Sequence, residues 1–143
     1  MKWDSTFDKY VIKEYGNWVL CIHANQFILG RVYIWAKRED CLDFADITEE
    51  ERSELFEIMK ETKGALTKLF QPDLFNWAAL GNATNHMHLH VIPRYKTPRM
   101  FGGLEFRDIS WCKRYNTATY GDMPEVPEAV VQNIKETIQK ILN

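Results

Sequence analysis

The chain has 143 residues, which suits one domain with a buried core and leaves little room for a second. Hydrophobic residues make up 45% of it and charged residues 27%, and the formal net charge is −2. This ordinary balance gives no whole-molecule reason to expect a nucleic-acid partner or an anionic membrane surface.

Cysteine usage and the N-terminus indicate the compartment. The three cysteines, Cys21, Cys41 and Cys112, are widely spaced, which argues against a disulfide framework and a zinc knuckle. The N-terminal stretch MKWDSTFDKY lacks a secretory pattern, and no apolar run approaches the ~20 residues that span a bilayer. We therefore expect a single cytoplasmic domain over residues 1–143, with no membrane contact.

The first part of the chain predicts three strands. Tyr10–Ala24 predicts two short strands around the turn pair Gly16-Asn17. Ile28–Arg38 is rich in β-branched and aromatic residues and predicts a third strand. Gly30 marks a bulge or a close backbone approach near the start of that strand.

A helix follows with clear start and stop signals. Thr48 and Glu51 have the spacing of a capping box, and Pro72 blocks continuation. The apolar residues recur at helical spacing, which favours packing on the protein's own sheet over a partner-binding face. This predicted buried stripe comprises Leu55, Ile58, Met59, Thr62, Ala65, Leu66 and Leu69.

The second half predicts two more strands and a second helix. Phe75–Leu80 is a predicted strand, Gly81–Asn85 a turn, and His86–Ile92 an alternating strand closed by Pro93. Residues 94–120 are predicted to be irregular. A helix is predicted over 127–142, with Pro127 near its first position. Its predicted stripe comprises Val130, Ile134, Ile138 and Ile141. The order of elements indicates an α+β domain.

Three of the four histidines lie at alternate positions in one predicted strand. Since side chains alternate faces along a strand, His86, His88 and His90 share one face. A purely structural role gains nothing from three imidazoles, each of which needs a partner or solvent. A shared metal ion is disfavoured, because the outer two backbones lie ~13 Å apart and only His23 could assist.

The remaining hypothesis is a reaction on a phosphoryl group, with the central histidine as nucleophile and its neighbours as orienter and donor. Residues 94–115 carry six basic and two acidic side chains, a balance of 6 − 2 = +4. A basic segment directly after the histidines suits a polyphosphate or nucleotide, although a solvated loop explains it about as well.

The stretch HMHLHVI, His86–Ile92, resembles the signature of the histidine triad (HIT) superfamily, in which three histidines alternate with hydrophobic residues. The longer stretch FNWAALGNATNHMHLHVIPRY resembles a bacterial and archaeal branch of it. LGRVYIWAKRE and DITEEERSELFEIMK upstream, and FGGLEFRDISWCKRY downstream, extend the similarity from about Trp18 to Tyr115.

This resemblance implies an α+β fold with a five-stranded antiparallel sheet and two main helices, often in a homodimer. It implies attack on the α-phosphorus of a nucleotide and a nucleotidyl-histidine intermediate, without a metal or other cofactor. His88 would be the nucleophile. His86 would orient it through hydrogen bonding, and His90 would contact the phosphate or assist the leaving group.

Four further residues are expected to bind substrate. Asn76 and Asn82 fall near the phosphate pocket in the resemblance, and His23 near the position for the ribose hydroxyls. Many members have Gly-His where this chain has Gly30-Arg31, so that Arg31 either binds phosphate or points outward. The family's Pro-(Lys/Arg)-x-His ending of the same strand is AKRE here, residues 36–39.

We therefore expect a nucleotide hydrolase or nucleotidyl transferase that acts on dinucleoside polyphosphates or nucleoside phosphoramidates. One alternative is a catalytically weak nucleotide-binding or interaction protein, and another is a zinc-assisted nucleotidyltransferase. A DNA-end-processing enzyme is disfavoured, because the chain is acidic overall and carries no zinc finger.

Overall fold

A computed structural model describes residues 3–116, 121 and 123–143. A five-stranded antiparallel sheet contains β1 (Val11–Glu14), β2 (Trp18–Ile22), β3 (Val32–Ala36), β4 (Leu74–Ala78) and β5 (His88–Arg94), in the order β1-β2-β3-β5-β4. The two main helices are α1 (Glu49–Phe70) and α2 (Glu128–Leu142), and short 3-10 helices cover Ser5–Tyr10 and Phe44–Asp46. The predicted α+β fold with five antiparallel strands is confirmed.

The hydrophobic core lies between one face of this sheet and the two helices. Trp18, Leu20 and Ile22 of β2 and Ile34 of β3 are fully buried there. The predicted stripe of α1 is part of this core, because most of its residues are buried and the other two, Met59 and Leu69, are half-buried and pack against it.

The ends of α1 follow their sequence signals. Thr48 Oγ1 accepts from the Glu51 amide at 3.2 Å, and Glu51 Oε2 accepts from the Thr48 amide at 2.8 Å, which completes the predicted capping box. Glu51 also binds the Arg38 guanidinium at 2.8 Å, and that contact lowers the pKa of the Glu51 carboxyl to about 2. These contacts therefore fix the start of α1 and tie it to the segment that follows β3.

Among the strand boundaries that differ from the prediction, the start of β3 and the end of β5 have a clear physical reason. β3 begins at Val32 rather than Ile28, because Gly30 turns the chain with a φ of +81°. A Cβ atom at Gly30 would lie 3.0 Å from the Phe70 ring, so that close approach, not a bulge, explains this glycine. β5 continues through Pro93, since β5 pairs with β3 only as far as Val91 and the missing N–H then faces no partner strand.

The region predicted to be irregular contains a hairpin, so the prediction was wrong there. β6 (Arg99–Phe101) and β7 (Leu104–Phe106) pair around Gly102 and Gly103, whose φ angles are +57° and +77°. Two positive φ angles at the centre of a two-residue loop are typical of the tight hairpin turn that the Gly-Gly pair allows. Residues 117–120 and 122 lie outside the described residues.

The second helix was placed correctly, and its buried face was predicted correctly only at Ile134 and Ile138. α2 begins at Glu128, with Pro127 as its N-cap. Its buried side chains are Val131, Ile134 and Ile138, whereas Ile141 is exposed. The predicted stripe was therefore wrong at its two ends, because Val130 is only partly buried and Val131 replaces it.

Candidate active site

The histidine row lies on the sheet face opposite the core. His88 and His90 pair across the ladder with Trp35 and Tyr33 of β3, and His90 pairs with Ala78 of β4. The intervening residue, Leu89, is buried in the core. The alternation predicted for this strand is confirmed, although His86 precedes β5 rather than belonging to it.

His88 is held in one tautomer by the backbone. Its Nδ1 lies 2.7 Å from the carbonyl oxygen of His86. A carbonyl oxygen only accepts hydrogen bonds, so Nδ1 carries the proton and Nε2 of the neutral ring carries a lone pair. His86 was expected to orient His88 by hydrogen bonding, and the contact in the structure comes from its main chain rather than its imidazole.

The imidazole of His86 is buried at one end of the histidine row and packs against Trp35. His86 is only 1% exposed, and its Nε2 lies 2.7 Å from the Ala36 carbonyl oxygen. The ring stacks on the indole of Trp35 with centroids 4.2 Å apart, and Trp35 in turn stacks on His88 at 5.5 Å. Burial lowers the pKa of His86, so this ring is a neutral packing element beside the candidate nucleophile.

His90 and His23 extend the row on the other side. The His90 ring centroid lies 4.8 Å from that of His88 and 5.8 Å from that of His23. Burial, followed by the nearby Arg31 charge, lowers the pKa of His90 to about 4 and that of His23 to about 3. Both rings are therefore neutral at pH 7, and each can donate one hydrogen bond.

Arg31 points inward beside these histidines. It is 6% exposed, its Nη1 donates to the Tyr115 hydroxyl at 2.7 Å, and its guanidinium lies 4.7 Å from the Tyr115 ring centroid. Within the described part of the chain, its buried Nε has no hydrogen-bond partner. Of the two orientations left open from the sequence, the structure has the inward one.

Asn76 and Asn82 occupy different settings. The Oδ1 atom of Asn76 accepts from Nη1 of Arg94 at 2.7 Å, which leaves the Asn76 amide N–H groups directed elsewhere. Arg94 is a donor only, so the orientation of this amide follows from chemistry. Asn82 lies in the exposed turn after β4.

Two cavities meet at this row. The smaller, about 430 Å³, contains His88 and His23 and is walled by the aromatic residues Trp3, Phe7, Tyr10, Tyr33 and Trp35. The larger, about 960 Å³, lies over β4 and contains Asn76. Arg31, Asn82 and His90 line both cavities, so six of the seven expected site residues are brought together. His86 lines neither.

The HIT domain family model matches residues 7–97, more than half of the chain, and this match includes the histidine row. The chain belongs to the HIT domain family. This family includes nucleotide-binding proteins and hydrolases. No curated protein matches the sequence significantly.

Solved HIT structures share the fold. A histidine triad protein from Sinorhizobium meliloti 1021 has a TM-score of 0.75 at 18% identity, covering 99% of this chain and 96% of that one. One from Marinobacter aquaeolei VT8 has 0.72 at 22%, covering 99% and 95%. One from Bradyrhizobium japonicum has 0.71 at 17%, covering 99% and 98%. At such identities the likeness concerns the fold alone.

Sequence reasoning missed two walls of this HIT site. Phe7 and Tyr10 lie in the N-terminal 3-10 helix and Trp3 precedes it, and their aromatic character in a polar stretch was the available signal. Trp111 and Tyr115 come from the segment after β7, beyond the region matched by the family model. In the sequence, that segment was noted for its positive charge and for its similarity to the family branch, and neither aromatic residue was assigned to the site.

The described residues contain neither a metal-binding cluster nor a membrane-spanning helix. Over residues 3–116, 121 and 123–143, no group of three His, Cys, Asp or Glu side chains is placed to hold a metal ion. In the same part of the chain, neither main helix is apolar enough over a sufficient length to cross a bilayer.

Proposed function

We propose that this HIT protein is a nucleotide hydrolase or nucleotidyl transferase that acts through a nucleotidyl-histidine intermediate on His88. The observation that carries the proposal is the 2.7 Å contact between Nδ1 of His88 and the His86 carbonyl. Because that contact fixes the proton on Nδ1, the Nε2 lone pair is available for attack in a cavity of suitable size.

The reaction would proceed in two displacements. The Nε2 lone pair forms a bond to the α-phosphorus as the bond to the leaving group breaks and its electron pair departs with that group. An amine leaving group also takes up one proton from solvent. A water molecule then attacks the phosphorus, the P–N bond breaks, and the ring recovers its lone pair while the water proton is released to solvent. Neutral His90, 4.8 Å from His88 between ring centroids, would donate to the phosphate.

The substrate in this proposal is a dinucleoside polyphosphate or a nucleoside phosphoramidate. The smaller cavity supports a nucleoside there, because aromatic walls such as Trp3 and Tyr33 suit stacking on a base. His23, whose Nδ1 accepts from the Asn25 amide at 3.0 Å, would present its Nε2–H to a ribose hydroxyl. Asn76, Asn82 and Arg31 would contact phosphate.

The decisive experiment is product analysis with His88→Ala. Incubation with diadenosine polyphosphates and adenosine phosphoramidate should release nucleoside monophosphate, and His88→Ala should reduce the rate at least about 10³-fold. Intact-mass measurement after rapid quenching should show a nucleotidyl adduct on the parent protein. Met87→Leu is the matched control, since Met87 is adjacent but faces the core.

Other outcomes would redirect the proposal. Full activity in His88→Ala, or an adduct on a different residue, would refute the assigned nucleophile. Nucleotide binding without turnover would favour the binding-protein alternative, and loss of activity on chelation would favour a zinc-assisted nucleotidyltransferase.

The proposal includes a cytoplasmic single-domain protein, residues 1–143, that forms a homodimer. The edge strand β4 supports self-association, because Leu74 at its start and Leu80 just beyond it are exposed apolar side chains. Sedimentation of the purified protein should give twice the chain mass. A monomer at assay concentrations would remove the homodimer from the proposal.

A further inference from the structure

In the part of the chain that the structure describes, the Arg31 guanidinium is buried without a counter-charge. Its Nη1 donates to the neutral Tyr115 hydroxyl, and its Nε has no hydrogen-bond partner among the described residues. In that same set, no carboxylate lies within 4.0 Å of it. Burying a cation is costly unless an anion or several acceptors compensate, so the site is incomplete as the chain alone builds it.

The position of Arg31 relates it to the reacting row. Val32 pairs with Val91 and Asn76 pairs with Ile92, so that Arg31 and Asn76 flank Ile92 on the strands at either side of β5. Alternate residues of a strand are about 6.6 Å apart. The Arg31–Asn76 pair of donors therefore lies one row beyond His90 and two rows beyond the candidate nucleophile.

Because of this order along β5, the two cavities would hold different parts of the substrate. In a phosphoryl displacement, the leaving group departs on the side opposite the attacking nitrogen. His88 lines only the smaller cavity and Asn76 only the larger, while His90 and Arg31 line both. A leaving group that moves away from His88 therefore passes His90 and enters the larger cavity between Arg31 and Asn76.

We propose that Arg31 is a specificity-determining residue that selects substrates whose leaving group carries an oxyanion, which it binds in the larger cavity. This inference rests on the proposed function. A phosphate or nucleoside phosphate leaving group supplies the missing counter-charge, whereas an amine leaving group supplies none. The protein therefore prefers phosphoric anhydrides to phosphoramidates.

The rest of the larger cavity fits such a group. Lys113 and Arg114 add positive charge to its wall, and Trp77 and Trp111 add aromatic surface. Its volume of about 960 Å³ is at the upper end of the usual range for small-molecule sites, roughly 300–1,000 Å³. A second nucleotide half would be accommodated as well as a single phosphate.

The test compares two substrates with the same nucleoside half but different leaving groups. kcat/KM is measured for diadenosine triphosphate and adenosine 5′-phosphoramidate with the parent protein and Arg31→Gln. We expect Arg31→Gln to lower kcat/KM at least about tenfold for the triphosphate, and less than about threefold for the phosphoramidate. Equal losses for both substrates, or no loss for either, would overturn the inference.

Control variants separate charge recognition from folding. Arg107→Gln removes an exposed arginine that lines neither cavity, and it should leave both rates unchanged. Arg31→Lys keeps the charge and should retain more of the selectivity than Arg31→Gln. Tyr115→Phe removes the hydroxyl that holds Arg31 and should shift the ratio in the same direction to a smaller extent. If Arg31→Gln does not fold, these last two variants decide.

A binding measurement keeps the inference separate from catalysis. Pyrophosphate alone is titrated into His88→Ala and into the double variant with Arg31→Gln, by calorimetry. The double variant should bind at least about tenfold more weakly. Equal affinity would overturn the inference whatever the hydrolysis data show. Arg31-dependent binding without any turnover by the parent protein would instead remove the proposed function and leave the anion site standing.

Discussion

Two buried arginines on the same face of the sheet differ in how far the protein satisfies their hydrogen bonds and compensates their charge. Arg94 is 3% exposed and donates to five oxygens at 2.6–3.1 Å: both of the Asp108 carboxylate, Asn76 Oδ1 and the carbonyls of Ser110 and Lys113. A guanidinium has five N–H donors, so Arg94 is fully satisfied. Arg31 is 6% exposed, and among the described residues its guanidinium donates only to the Tyr115 hydroxyl.

This difference distinguishes a structural arginine, Arg94, from an arginine of the candidate active site, Arg31. The Arg94 cluster ties the end of β5 to the segment after β7, and nothing in it is left for a ligand. Arg31 instead keeps its charge uncompensated among neutral histidines, an arrangement that costs stability and favours an incoming anion. Functional sites are commonly destabilised in this manner, whereas structural ion pairs are completed within the fold.

The largest loss of stability is expected when the structural arginine, Arg94, loses its counter-charge. Asp108→Ala leaves the Arg94 cation buried without its carboxylate and should lower the free energy of unfolding by about 3–5 kcal/mol. Urea denaturation of this variant and the parent protein measures the difference. A loss below about 1 kcal/mol would mean that water reaches Arg94 and that the contrast with Arg31 is not one of burial.

The pH dependence of stability tests the burial of the histidines next to Arg31. Burial lowers the pKa of His90 to about 4 and that of His23 to about 3, from an ordinary 6.5. The unfolded chain therefore binds more protons than the folded chain in that interval, and stability should fall as the pH drops from about 6.5 toward 4. Urea unfolding at stepped pH measures the slope.

Arg31→Met should make that slope shallower. Arg31 contributes to both lowered pKa values, after burial itself, so its removal raises them toward the ordinary value. Glu51 does not obscure the comparison, because the Arg38 contact lowers its pKa from 4.5 to about 2 and its effect falls at lower pH. Parallel slopes in the two proteins would show that Arg31 is screened from the histidines.

At pH 7 the same Arg31→Met variant should change the free energy of unfolding by no more than about 1 kcal/mol, and in either direction. Replacing an unpaired buried charge by an apolar side chain removes a desolvation cost and restores packing. Thermal unfolding of Arg31→Met beside Asp108→Ala displays the contrast directly. A loss as large as that of Asp108→Ala would make Arg31 a structural residue.

The smallest effect is expected at an exposed ion pair. Arg107 binds Glu105 at 2.6 Å, but both side chains are about half exposed. Arg107→Gln should change the unfolding free energy by less than about 0.5 kcal/mol. A larger change, measured by the same denaturation, would indicate that the hairpin β6–β7 depends on this contact.

The sequence was most informative where local spacing decides the structure. The two-residue period placed His88 and His90 on one face, and the Thr48–Glu51 spacing located the start of α1. It was least informative where distant segments meet. Tyr115 reaches Arg31 only because the chain returns across β5 after the β6–β7 hairpin, and no local period records that path. Likewise, nothing near Arg94 in sequence shows that Asp108 will neutralise it.

The hydrogen bond from His88 to the main chain of His86 has a consequence for mutational robustness. An acceptor that belongs to the backbone is present whatever side chain occupies position 86, so substitution there cannot delete it. The backbone conformation that leads into β5 thus determines the tautomer of the candidate nucleophile. His86→Ala should weaken the stacking on Trp35 yet leave the reacting nitrogen unprotonated. A substitution at position 86 should therefore affect packing more than the chemistry of His88.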